Sequence, residues 1–189
     1  MDTEWKKLDD AKVWINTEVR EWRDVKSEAA KDGREIHVGG LHELTVEKGS
    51  ELQHDDPGRK MKGRVVFLGD RVKDAQGNHA IFEELSSSPA AMSAGKLADA
   101  YGSMPGHIIE TADGEQAYPQ ARMSSSTKTW IRLPYHRWPQ PWKDAKLWDP
   151  VVEMRQALYG HPDAGGYWER HCEKGVGKAG FLPMGDCAE

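Results

Sequence analysis

GRVVFLG, residues 63–69, decides the fold class. Val65, Val66 and Phe67 are β-branched or aromatic, and glycines stand at both ends, the pattern of a strand that stops where the chain turns. Working outward, residues 129–133 (TWIRL) alternate apolar and polar side chains before Pro134 and predict a half-buried strand. Residues 108–113 (IIETAD) predict a short strand with an acid at its end, and residues 151–158 a strand or the start of a helix. Helical patterns are interleaved with these. Trp5, Leu8, Ile15, Val19, Trp22, Val25 and Ala29 recur at three- and four-residue steps and predict one long N-terminal amphipathic helix over residues 3–31. Thr3 would cap it and Asp32-Gly33 would end it. Residues 90–101 (AAMSAGKLADAY) and 166–174 (GYWERHCEK) are helix-prone, with residues 86–89 (SSSP) as a break before the first. Residues 117–123 predict a helical turn, residues 34–53 short strands or turns among glycines, and the Trp- and Pro-rich residues 138–148 an irregular surface loop. Together these predict an α+β fold.

Composition narrows the class. Eight Trp among 189 residues are too many for a chain that never packs, although 30% charged residues and a mean hydropathy of −0.77 imply a thin core. A net charge of −5 gives no global basic balance for nucleic acid, yet 26 Lys and Arg leave room for a local basic strip. Two cysteines, Cys172 and Cys187, make no disulfide framework and suggest a reducing, intracellular compartment. No apolar run approaches a membrane span, and the opening MDTEWKKLDD is too charged for a signal peptide.

Read for chemistry, the sequence offers one acid of interest. Asp113 follows the apolar 108–112 segment, precedes Gly114 and lies five positions before Tyr118. An Asp at a strand end projects into a crevice, where hard divalent cations prefer carboxylate oxygens. The alternative is a turn Asp that closes a strand. The His54-Asp55-Asp56 triplet sits on a Pro-Gly turn, where adjacent residues do not converge on one ion. Cys172, Cys187, His161 and His171 lack zinc-ligand spacing. Neither a glycine-rich phosphate loop with its Lys-Ser/Thr nor a nucleophile elbow is present.

Four blocks in order carry a family resemblance. Lys62-Gly63-Arg64-Val65-Val66 resembles the "KARLV" strand of copia-type retrotransposon reverse transcriptases. Asp113-Gly114-Glu115-Gln116-Ala117-Tyr118 resembles their "DVKTAF" segment, residues 129–134 loosely resemble "EIYMEQP", and Ala157-Leu158-Tyr159-Gly160 with Trp168-Glu169 resembles "ALYGLKQAPRAWY". The resemblance covers residues 61–182 and extends loosely back to Trp5. It implies an RNA-directed DNA polymerase fragment: an incomplete right hand, with a helix leading into the fingers over 1–60, fingers strand and helix over 61–112, and partial palm over 113–189. It implies that Asp113 is catalytic and, with the Gly114 carbonyl, binds Mg²⁺ or Mn²⁺. Arg64 and Lys62 would grip the triphosphate, Tyr118 beside Ala117 would select deoxynucleotides beneath the sugar, and Gly160 would let template–primer or base approach the backbone. Lys62 is equally read as a solvated strand-edge charge.

The implied partners are an RNA or DNA template–primer, a deoxynucleoside triphosphate and the remaining polyprotein segments (rest of the palm, thumb, RNase H). The implied location is the cytoplasm, within a virus-like particle, or the nucleus. Two departures shape the expectation. His161-Pro162-Asp163-Ala164-Gly165-Gly166 stands where the family has "LKQAPR", and His161 reads as a plain loop histidine, the alternative being a substitute for a polar contact. The second acidic pair, "YxDD", is not in the sequence, and Met184-Gly185-Asp186 does not replace it. The chain is therefore expected to be inactive alone, with an exposed palm-sheet edge that favours aggregation. The alternative is a non-catalytic remnant with weak nucleic-acid binding, and a third class is an unrelated α+β binding module with a Trp-rich face.

Overall fold

The computed structural model of the chain describes residues 1–82 and 92–182. Its helices are α1 (Asp2–Asp10), α2 (Trp22–Lys31), α3 (Met92–Gly102), α4 (Ala117–Gln120), α5 (Gln140–Asp144) and α6 (Ala164–Lys178). Its strands are β1 (Arg20–Glu21), β2 (Ile36–Lys48), β3 (Lys60–Phe67), β4 (Lys73–Asp74), β5 (Lys128–Arg132) and β6 (Pro150–Glu153). The fold is α+β around one mixed sheet, ordered β1-β6-β5-β2-β3, with β4 paired to β2. β2 and β5 run parallel, with Ile36 opposite Lys128 and Val38 opposite Trp130, and the other pairs are antiparallel. Strands from all three expected segments enter this one sheet.

Alternation along the central strands makes two cores. On one face α2 lays Trp22, Val25 and Ala29 over Ile36, Val38, Trp130 and Val151. On the other, Val13, Trp14, Phe67, Ile131, Val152 and Leu158 form the larger cluster, with Trp5 and Leu8 of α1 at its margin. Each such side chain stabilises the fold by roughly 1.5–3 kcal/mol when fully buried. A third, small-residue cluster of Ala121, Ala157, Ala164 and Tyr167 seats α6 against α4. The described edge strand β3 bears Lys60, Lys62 and Arg64, side chains that discourage edge-to-edge pairing.

The single N-terminal helix expected over 3–31 is two helices. α1 ends at Asp10 because Lys12 takes a left-handed conformation (φ 54°), with its N–H on the Asp9 carbonyl and the Val13 N–H on the Leu8 carbonyl. That is a Schellman stop, and it turns Val13 and Trp14 into the core. α2 ends in the same way at Gly33 (φ 62°), α5 at Lys146 (φ 51°) and α6 at Gly180 (φ 93°). A lysine in this conformation costs about 1–2 kcal/mol relative to glycine. Lys12→Gly is therefore expected to raise the urea-unfolding free energy by about 1 kcal/mol, and Lys146→Gly to add a similar increment independently.

Other differences have local causes. Residues 34–53 were expected to be short pieces, but β2 is a thirteen-residue strand. Its Gly39 admits the Phe67 ring, which a Cβ there would overlap. Residues 108–113 form no strand: they are exposed, Ile108 and Ile109 included, so β-propensity found no surface to pack on. The 138–148 stretch contains α5, whose Trp142 is buried and donates its indole N–H to the Asn16 carbonyl at 3.0 Å. β5 is buried on both faces rather than half-buried. The expected break at 86–89 and the 184–186 tail with Cys187 lie outside the described residues. Among the described residues, no helix is long and apolar enough to cross a membrane.

Candidate functional site

Three distant segments meet in a cleft of about 290 Å³. β3 supplies Lys62 and Arg64, α1 supplies Glu4 and Lys7, and the loop before α4 supplies Asp113 through Gln116. Strand periodicity puts Lys62 and Arg64, two residues apart, on one side of β3. The acidic loop is held from behind. Trp168 of α6 closes on Gly114, where a Cβ would lie 3.0 Å from the indole. Gln116 is left-handed (φ 49°) as it caps α4, a strained backbone beside Asp113. The Gln120 side-chain amide donates to the Glu115 carbonyl at 2.6 Å.

Lys62, Arg64, Asp113 and Gly114 all line this cleft, and Asp113 sits on an exposed loop rather than at a strand end. Tyr118 and Ala117 are on α4 and do not line the cleft. The Tyr118 ring meets Tyr159 edge-on, with centroids 4.6 Å apart, and the Arg64 guanidinium lies over the Tyr159 ring at 5.0 Å. Tyr159, not Tyr118, is the aromatic wall of the cleft. The quoted "ALYG" block contained it, but reading that block for its glycine missed it. Gly160 (φ 87°) does permit a close backbone approach, and what approaches is the chain's own β3: a Cβ there would overlap the Phe67 carbonyl oxygen. The Phe67 N–H donates to the Tyr159 carbonyl at 2.7 Å, which fixes Tyr159 against β3.

Mg²⁺ or Mn²⁺ pairs need several convergent carboxylates. Among the described residues no group of three His, Cys, Asp or Glu side chains is placed to hold a metal ion, although Glu4, Asp113 and Glu115 all line the cleft. The described residues do not fit a two-ion centre.

A second cavity, about 380 Å³, opens where the parallel pair β2–β5 begins. His161 is a loop histidine, but a buried one at 4% exposure, and it forms this cavity's floor with Thr129 and His37. The Asp163 N–H donates to His161 Nδ1 at 3.1 Å, so the ring proton sits on Nε2, which donates to Thr129 Oγ1 at 3.2 Å. Burial, reinforced by the nearby His37, lowers the His161 pKa from 6.5 to about 4, so the ring is neutral at physiological pH. No motif announced this group: its partners come from β2, β5 and the loop into α6.

No protein-family model matches this chain, and no curated protein or solved structure matches it.

Proposed function

We propose that the cleft between α1, β3 and the 113–116 loop is the nucleotide-binding part of a reverse-transcriptase-like polymerase, with Arg64 and Lys62 on the polyphosphate. The observation that carries this is the meeting of Lys62, Arg64, Asp113 and Gly114, from two separate motif blocks, in a single cleft. Arg64 is suited to the role because its forked donors match phosphate oxygens bidentately and Tyr159 holds the guanidinium plane. Tyr118 braces Tyr159 through an edge-on ring contact, which links deoxynucleotide selection to the position of Arg64. Polymerisation in this reading needs a second acidic pair that the sequence does not contain, so the chain binds nucleotide without turning it over.

A weaker role in binding nucleic acid without catalysis has its own support. Lys48 and Lys60 stand directly opposite each other in the β2–β3 register, with Lys62 two residues on. Like charges across a ladder repel, and a phosphate backbone laid along them relieves that repulsion. In both readings the partners are a template–primer and other polymerase segments, met in the cytoplasm or nucleus.

Titration of the full chain with dATP separates the two. Arg64→Ala is expected to weaken dATP binding between tenfold and a hundredfold, the loss of one charge-assisted bidentate contact. Arg64→Lys should recover part of it. If dATP fails to bind at millimolar concentration while a primer–template still binds in a salt-dependent way, the nucleotide site is wrong and the non-catalytic reading stands. If Arg64→Ala leaves dATP affinity unchanged, the assignment of Arg64 fails.

A further inference from the structure

The 380 Å³ cavity at the start of the β2–β5 pair belongs to neither role of the cleft, and its chemistry is of the opposite sign. Among the described residues no Lys or Arg lines it, whereas Glu35 and Asp163 both do. Its floor residues His161 and Thr129 hydrogen-bond each other, and the neutral imidazole adds no positive charge. A phosphate or carboxylate ligand would therefore enter without a counter-charge, at a desolvation cost that nothing offsets. The remaining surfaces suit a flat ligand. The Phe82 ring stands edge-on to His37 at 4.8 Å and to His161 at 5.3 Å, giving a wall fixed on two sides. Tyr167 forms another wall, although the Arg170 guanidinium already lies over its ring at 5.1 Å, so Phe82 is the ring left for a ligand. Ser125, Ser126 and Thr127 add hydroxyls along the rim. Glu35 reaches the interior, with its carboxylate 3.3 Å from His37 Nε2, while its side chain remains 63% exposed and open to an arriving cation.

We propose that this cavity binds a small planar organic cation, an amidinium or guanidinium group, with Glu35 as its ionic partner and Phe82 as its aromatic wall. The group's parallel N–H donors pair with the carboxylate, and its face lies against the ring.

Calorimetric titration of the full chain at neutral pH with benzamidine, benzamide and benzoate tests the charge requirement, because the three share a shape. Benzamidine is expected to bind at least tenfold more tightly than benzamide, and benzoate not at all. Glu35→Gln should weaken benzamidine by about tenfold. This exposed side chain keeps an oxygen within reach of His37, so the melting temperature should stay unchanged. Arg64→Ala should leave benzamidine binding intact, which separates this site from the nucleotide cleft. N-acetylarginine methylamide, run alongside, identifies the source: tighter binding than benzamidine assigns an arginine of a protein partner, and weaker binding assigns a free aromatic cation. Equal binding of benzamide, an unaltered affinity in Glu35→Gln, or no benzamidine binding at millimolar concentration would overturn the proposal.

Discussion

Gly160→Ala lowers the unfolding free energy by about 2–5 kcal/mol, a large share of the 5–15 kcal/mol that a domain of this kind possesses. Two costs add. At φ 87° an alanine meets the left-handed penalty of about 1–2 kcal/mol. Its Cβ also overlaps the Phe67 carbonyl oxygen, a backbone atom that cannot swing aside, and overpacking of this kind costs about 1–3 kcal/mol. Urea unfolding of Gly33→Ala supplies the comparison. Gly33 is likewise left-handed (φ 62°), but nothing lies within 4 Å of a Cβ there, so only the backbone penalty applies. Equal losses in the two variants would mean that the approach of residue 160 to β3 is not tight. The same overlap would push Tyr159 off β3, so Gly160→Ala should also weaken any ligand that depends on Arg64.

Acid should destabilise the protein through His161 before it does so through the carboxylates. In the folded chain this imidazole titrates near pH 4, whereas an unfolded histidine titrates near 6.5. The unfolded state therefore binds more protons across that interval, so stability rises with pH. The contribution is intact above about pH 6.5 and declines as pH falls toward 4, for a total loss of about 3 kcal/mol. The paired carboxylates act lower. Arg137 holds Glu43 and Asp2 below the usual carboxylate range, and Arg20 does the same for Glu28, so their losses fall at more acidic pH. His161→Gln keeps an acceptor for the Asp163 N–H and a donor for Thr129, but it does not titrate. Unfolding free energies between pH 6.5 and 4.5 should be nearly flat in this variant and should fall in the parent. Parallel profiles would show that His161 is not the acid-sensitive group.

Much of the strand content was legible because side-chain chemistry and burial agree there: GRVVFLG became β3 with its end shifted, and TWIRL became β5. The N-terminal helix was misread because apolar residues at helical steps continue through Val13 and Trp14, which are buried on leaving a helix rather than within one. Gly33 announces a helix end, whereas Lys12 makes the same stop with a residue type that carries no such signal. Gly39-Gly40 interrupts the strand pattern of β2 in the sequence, and the use of Gly39 is visible only once the Phe67 ring lies over it. Asp113, Arg64 and Lys62 could be picked out from motif order. Tyr159 as the cleft wall and the His161–Thr129 contact required the tertiary arrangement, since each joins segments that sequence periodicity treats separately.

The parallel pairing of β2 with β5 also bears on how the chain is made. The β2–β3 hairpin is local and can close within microseconds of its emergence. The other edge of β2 must wait for β5, since Ile36 pairs with Lys128, and for β6 beyond it. At ribosomal rates that interval lasts roughly ten seconds, during which the longest strand of the sheet presents an unsatisfied ladder to its surroundings. Yield in cells should therefore respond more to holdase capacity and translation speed than to the free energy of the finished fold.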